Sequence, residues 1–312
     1  MKKEVKAYAP ATVANVVCGY DVLGFAIEKP GDEVVLRPNS KNKVEIIKIE
    51  GDNGKLSYDP DKNVVGHVIK LFLEKIGSNQ GVDIELYKKM PLNSGLGSSA
   101  ASSVAALVAI NELMDNPMSK HDLLPFTIEG ERLATGNAHA DNVAPSLLGG
   151  LVLTRSYEPL DIVKLPSPKG LYVTSVHPNV DVPTGEARKI IKQEVPLKLA
   201  VQQWGNVAGL VAGFTTNDLD LIGRSMQDVV IEPVRSMLIP YFKEMKESAL
   251  EKGAIGFGIS GSGPSVFALS KNEEIAENVK TALEKLLEEF NIECQALVTE
   301  INHEGAKILS SN

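Results

Sequence analysis

The chain has 312 residues, enough for about two domains of roughly 150 residues each. An apolar content of 43% and a charged content of 23% fit a globular protein and exclude a disordered one, and a net charge of −8 argues against nucleic acid or an anionic membrane as partner. Cys18 and Cys294 are too few for a disulfide framework or a four-cysteine zinc site, and no apolar run follows Lys2 and Lys3 as in a secretory leader or reaches the length of a membrane span, so a reduced, cytoplasmic setting is expected.

The first half opens with short β-like runs at 5–9, 33–37 and 43–50. Asp61 is placed to cap a helix whose stripe is Val64, Val65, Val68, Leu71, Phe72 and Ile76. Residues 81–86 alternate at period two, as in a half-buried strand. A Gly/Ser loop follows, then an Ala-rich helix over 98–114 and a Ser119-capped helix ending at Thr135-Gly136. A short helix at 140–148 leads through Gly149-Gly150 into a strand at 151–154. The breaker cluster Pro166-Ser167-Pro168-Lys169-Gly170 marks the seam, giving domains 1–167 and 168–312.

Beyond the seam, a strand at 171–176 precedes helical patterns at 185–192, 197–214, 219–227 and 234–251. Strands at 254–259 and 265–269 flank Ser260-Gly261-Ser262-Gly263-Pro264, and a helix over 273–290 and a strand over 293–301 follow. This order is that of a ferredoxin-like split β-α-β unit with inserted helices.

The segment richest in chemistry is Pro91-Leu92-Asn93-Ser94-Gly95-Leu96-Gly97-Ser98-Ser99-Ala100-Ala101, between a strand and a helix. Its glycines allow a tight turn and close approach to a ligand, and the helix start offers unpaired N–H groups to an anion such as phosphate. Gly95-x-Gly97-x-x-Ala100 formally fits a dinucleotide fingerprint, but no second strand ending in an acidic residue follows at the required distance. A Walker A loop needs Gly-Lys-Ser/Thr, which is absent, and a plain structural turn into a packing helix remains open. Lys88 or Lys89 could approach a nucleotide at this loop, but both end a strand, where exposed lysines are common, and neither is assigned to the site. Trp204 and both cysteines carry no signal beyond packing.

The loop resembles the phosphate loop of the GHMP kinases, a family named for galactokinase, homoserine kinase, mevalonate kinase and phosphomevalonate kinase. Ala9-Pro10-Ala11-Thr12-Val13-Ala14-Asn15 resembles the family's N-terminal block and Ile259-Ser260-Gly261-Ser262-Gly263-Pro264-Ser265 its C-terminal block, in the expected order. Gly19-Tyr20-Asp21, the run His139 to Pro145, Glu186-Ala187-Arg188 and Ile231-Glu232-Pro233-Val234-Arg235 resemble the homoserine kinase branch, so the likeness covers essentially the whole chain.

The resemblance implies an α+β fold of two domains, a ribosomal-protein-S5-like α/β domain followed by the ferredoxin-like one. It implies transfer of the ATP γ-phosphoryl to the L-homoserine hydroxyl, a step toward threonine, with Mg²⁺ as cofactor and a homodimer as the assembly. Ser99 and Glu131 match the metal-binding and catalytic pair, and Asn63 and the loop Pro91 to Ala101 match the ATP site. Arg188 and Arg235 match the substrate carboxylate binders, whose planar forks suit that task. Asp21 matches the ammonium partner, while Asn15, His139, Asn142 and Gly261 match groups around the substrate, and Thr184 matches a position near the transferred phosphate.

Adjacent helix residues point about 100° apart, so only one of Asp141 and Asn142 can face the substrate; the resemblance selects Asn142, leaving no dedicated protein base. The alternatives are a kinase of mevalonate or a sugar, and a non-catalytic ligand sensor.

Overall fold

The computed structural model describes residues 2–92, 94–180, 190–191 and 194–312. Asn93, Thr184, Arg188 and most of the expected helix at 185–192 lie outside these residues.

The first layer is a seven-stranded sheet. Strand β1 (Val5–Ala14) lies antiparallel to the 17-residue β2 (Leu23–Asn39), from Val5 opposite Leu36 to Ala14 opposite Gly24. The far half of β2 pairs β4 (Gly81–Tyr87), which in turn pairs β3 (Val44–Glu50) in parallel. The near half of β2 pairs β5 (Leu151–Tyr157), which continues into β6 (Leu160–Leu165). Sequence periodicity finds only fragments of β1 and β2, because both are buried on both faces over most of their length and lose the alternation of a half-buried strand.

Four helices cover this sheet: α1 (Val64–Lys75), α2 (Ser98–Leu113), α3 (Lys120–Thr135) and α4 (Ala140–Leu148). Helix α2 is apolar all round and buried along nearly its whole length, so it is the central element. Its alanines and serines keep it thin enough to pack on β1 and β2 while α1, α3 and α4 surround it. The cap of α1 is Asn63, whose side chain accepts from the Val65 N–H, and not Asp61; Asp61 sits two residues too early and pairs with Lys70 instead. Ser119 caps α3 as expected, in a reciprocal capping box with Asp122.

The second layer is an antiparallel sheet in the order β10-β7-β9-β8, built from β7 (Tyr172–Pro178), β8 (Gly256–Ile259), β9 (Val266–Ser270) and β10 (Cys294–Glu300). In chain order within this unit that is 4-1-3-2, the ferredoxin-like arrangement. Helices α5 (Leu197–Thr216) and α6 (Leu219–Ser225) are the inserted pair. The single helix expected over 234–251 is broken into α7 (Glu232–Arg235), a 3₁₀ turn at Ser236–Leu238 and α8 (Phe242–Glu251). Pro240 explains the break: it has no N–H to donate and drives Ile239 into an extended conformation. Helix α9 (Glu273–Glu289) packs on β7 and β10. A last strand, β11 (Lys307–Ser311), leaves this layer and adds to β1 at the edge of the first sheet.

The two layers share a core. Phe25 of β2 meets Phe267 of β9 edge-on, with ring centroids 5.8 Å apart, and both rings are fully buried. The glycine loop and the C-terminal block lie where the layers join.

Candidate active site

The loop between β4 and α2 is shaped by glycines that nothing else can replace. Gly97, the residue before α2, has φ +67° and supplies no side-chain cap. The first-turn N–H groups of α2 therefore remain available to an anion. A methyl group on Gly97 would meet Thr12 Oγ1 at 2.2 Å and Asn142 Oδ1 at 2.8 Å. Gly95, at φ +81°, lies against the C-terminal block: a methyl group there would meet the Ser260 carbonyl oxygen at 2.5 Å. Ser260 Oγ in turn donates to the Gly95 carbonyl at 2.8 Å, and the Thr12 N–H donates to the Leu96 carbonyl at 3.1 Å. The three blocks that resemble the family motifs are thus in direct contact. Ser94 and Ser98 are buried, Ala100 and Ala101 are fully buried, and Pro91 and Leu92 are half-buried. Among the described residues Ser98 Oγ has no hydrogen-bond partner.

Ser99 Oγ donates to Glu131 Oε1 at 2.7 Å. Glu131 is 4% exposed, unlike its exposed neighbour Arg132, and burial raises its carboxyl above the usual glutamate range. Two hard oxygens beside a phosphate cradle suit Mg²⁺, which typically takes one or two protein ligands and completes its shell with phosphate and water. Among the described residues no cluster of three or more His, Cys, Asp or Glu offers an all-protein metal cage. Asn63 is buried, and its amide donates to the Ser57 carbonyl at 2.8 Å, so its side chain serves the start of α1.

The opposite wall is a turn in left-handed conformation. Asn15, Val16 and Val17 have φ of 70°, 40° and 65°, and the Gly19 N–H bonds back to the Asn15 carbonyl at 2.8 Å. For β-branched valines this conformation is strained, at roughly 1–2 kcal/mol per residue. The strain aims Asn15 inward: its Nδ2 donates to the Gly261 carbonyl at 2.8 Å and its Oδ1 accepts from the Asp21 N–H at 3.0 Å. Arg235 Nη1 donates to the same Gly261 carbonyl at 3.2 Å, and its guanidinium lies 5.0 Å from the Tyr20 ring centroid. His139, the residue before α4, has Nδ1 3.6 Å from Asp21 Oδ1. On α4, Asn142 Oδ1 accepts from Thr12 Oγ1 at 2.8 Å, so Asn142 faces the glycine loop. Asp141 is buried, and its charge is felt by Tyr157, whose hydroxyl is pushed up to about 12 chiefly by burial. An open cleft of about 530 Å³ beside Asp21 is lined by Cys18, Tyr20, Val22, Trp204 and Val207 among others. Trp204 is not a packing residue, since it is 61% exposed.

Residues 63–150 match the GHMP kinases N terminal domain and residues 210–289 the GHMP kinases C terminal domain. The homoserine kinase of Chlorobium phaeobacteroides is 50% identical over 98% of this chain and 100% of its own length. The chain belongs to the homoserine kinase branch of the GHMP kinase family. A crystal structure of homoserine kinase from Cytophaga hutchinsonii superposes with a TM-score of 0.97 at 56% identity, covering 99% of this chain and 98% of that one. The mevalonate kinase of L. major, solved with R-mevalonate, has a TM-score of 0.73 at 17% identity over 96% of this chain and 99% of that one, which shows a common GHMP kinase fold.

The motifs of this kinase family bring together Asn15, Asp21, Ser99, Glu131, His139, Asn142, Arg235 and Gly261. Thr12 and Ser260, which tie the three blocks together, were not singled out from sequence, although both lie inside the quoted motifs. Lys88 corrects an expectation: it is 6% exposed, and its ammonium pairs with the fully buried Asp32. A lysine at a strand end gives no sequence signal of burial, because the carboxylate it pairs with is 56 residues away.

Proposed function

We propose that this chain transfers the γ-phosphoryl group of ATP to the side-chain hydroxyl of L-homoserine, forming O-phospho-L-homoserine for threonine biosynthesis. The observation that carries the reading is the contact between Gly97 and Asn142, which sets the phosphate cradle against the acceptor side with no intervening element. The full-length identity to homoserine kinases supports the choice of substrate.

In this reading the N–H groups at the start of α2 and the Ser98 hydroxyl, which has no partner among the described residues, donate to phosphate oxygens. Ser99 and the buried Glu131 would hold Mg²⁺, which when bound neutralises phosphate charge. Arg235, with Arg188, binds the substrate carboxylate through a planar fork. Asp21 takes the ammonium, and the Asp21 N–H bond to Asn15 keeps that loop in place. Asn142 orients the hydroxyl, with Thr184 near the transferred group and His139 steadying Asp21.

Asn142 cannot accept the proton as a base. The transition state for phosphoryl transfer is loose, so alignment and charge neutralisation supply most of the acceleration and the proton leaves late to a phosphate oxygen or water. Mevalonate has no ammonium for Asp21 to bind. A cytoplasmic homodimer completes the proposal, and light scattering after size exclusion reads the assembly. The reading is tested by coupling ADP release to NADH oxidation with L-homoserine, R-mevalonate or galactose as acceptor: L-homoserine is expected to give the fastest turnover, and faster turnover of another acceptor overturns it.

A further inference from the structure

Helix α2 has no side-chain cap, because Gly97 stands at that position and leaves the first N–H groups for a ligand. Something else must hold this turn before nucleotide arrives. The buried ammonium of Lys88 is in contact with it. Lys88 follows β4, and its Nζ donates to the Ser98 carbonyl at 2.7 Å and to Ser102 Oγ at 2.7 Å. Its third partner is Asp32 Oδ2 on β2. All three ammonium protons are accounted for. Asp32 also accepts from Ser102 Oγ at 2.7 Å and from the Lys89 N–H at 3.0 Å. The side chains of Lys88 and Asp32 are 2% and 0% exposed.

A buried ion pair of this kind is weak evidence for a stabilising role, since apolar or neutral replacements of similar volume are often as stable. Its geometry points elsewhere. The end of β4 and the middle of β2 meet at one ammonium, and that ammonium grips the carbonyl of the first residue of α2, one position before Ser99. The charge of Lys88 is also felt by Glu131.

We propose that Lys88, fixed by Asp32, is a positioning residue for the nucleotide: it holds the uncapped first turn of α2 in its anion-binding orientation. This rests on the reading of the glycine loop as the ATP site. The phosphates touch α2, and Lys88 acts on them only through the Ser98 carbonyl and Ser102. It serves ATP and not the amino-acid substrate, whose groups lie on the 15–21 turn, α4 and α7.

The test separates positioning from stability. Lys88→Met alone leaves Asp32 buried without a counter-charge, so it is expected to lower Tm and weaken nucleotide binding. Lys88→Met with Asp32→Asn removes both charges at similar volume and is expected to recover most of the lost Tm. In that double variant the Kd for MgADP, measured by calorimetry, stays at least tenfold weaker than wild type, while the KM for L-homoserine changes less than twofold. Recovery of nucleotide affinity together with Tm would show the pair to be structural and overturn the inference. So would an equal rise in the KM of both substrates. Should the double variant not fold, Ser102→Ala removes one partner of the ammonium with little disturbance; a threefold or greater loss of MgADP affinity is expected, and an unchanged Kd overturns the inference. Absence of MgADP binding by the wild-type protein would instead refute the reading of the loop, a distinguishable result.

Discussion

Replacing Gly97 by alanine tests the geometry of the phosphate cradle with one carbon atom. At φ +67° an L-residue is strained by about 1–2 kcal/mol. The added Cβ also falls 2.2 Å from Thr12 Oγ1 and 2.8 Å from Asn142 Oδ1, so the Thr12–Asn142 hydrogen bond must open, at about 1 kcal/mol more. The expected destabilisation is about 2–3 kcal/mol, a Tm loss of roughly 3–5 °C for a chain of this size. Displacing Asn142 by an ångström is expected to lower kcat about 100-fold. Thermal melting and the coupled kinase assay read both effects. Adding Thr12→Ala removes the nearest clashing atom and should recover part of the Tm loss but not the part due to φ. A Gly97→Ala protein with wild-type Tm and wild-type kinetics would refute the close approach on which the site is built.

Other perturbations separate the roles of the remaining residues. Arg235→Lys loses the bidentate fork and its bond to the Gly261 carbonyl, so the KM for L-homoserine should rise tenfold or more with the KM for ATP within twofold. Asp141→Asn should keep most turnover, whereas Glu131→Ala should lower it by orders of magnitude and raise the Mg²⁺ concentration needed for half-maximal rate; a loss of about 100-fold or more in Asp141→Asn with normal binding would identify Asp141 as the base. His177 on β7 shares a 3.0 Å hydrogen bond with the buried Ser265, and burial lowers its pKa below the usual 6.5. Its contribution to stability is therefore complete above the unfolded value and lost as pH falls through the lower folded value. His177→Asn should flatten the decline of Tm between pH 7 and pH 5, and an unchanged decline would show that other groups cause it.

The parts legible in sequence were those whose chemistry is local. Gly95 and Gly97 announce a tight turn, Ser119 marks the start of its helix, and the order of strands and helices after the seam reads as the split β-α-β pattern that the 4-1-3-2 sheet realises. The parts that were not legible depend on partners far away in the chain. Lys88 looks like any strand-end lysine until Asp32 arrives beside it. Asn63 and Asp61 are equally good caps by type, and only the tertiary course of the chain selects Asn63. The final strand over 307–311 is short and exposed on alternate residues, and it exists because β1 offers it an edge. The roles of Glu131 and Asn142 came from family likeness alone: a helix glutamate and a helix asparagine carry no local mark of function. What the structure adds is that each faces the glycine loop, Glu131 through Ser99 and Asn142 through Thr12.

The most direct test of the account is the product itself. Purified protein incubated with MgATP and L-homoserine, followed by mass spectrometry and phosphorus NMR, should yield O-phospho-L-homoserine in amounts equal to the ADP released, with little ADP formed when L-homoserine is omitted. ADP release that does not depend on L-homoserine, or phosphorylation of R-mevalonate or galactose in its place, would contradict it.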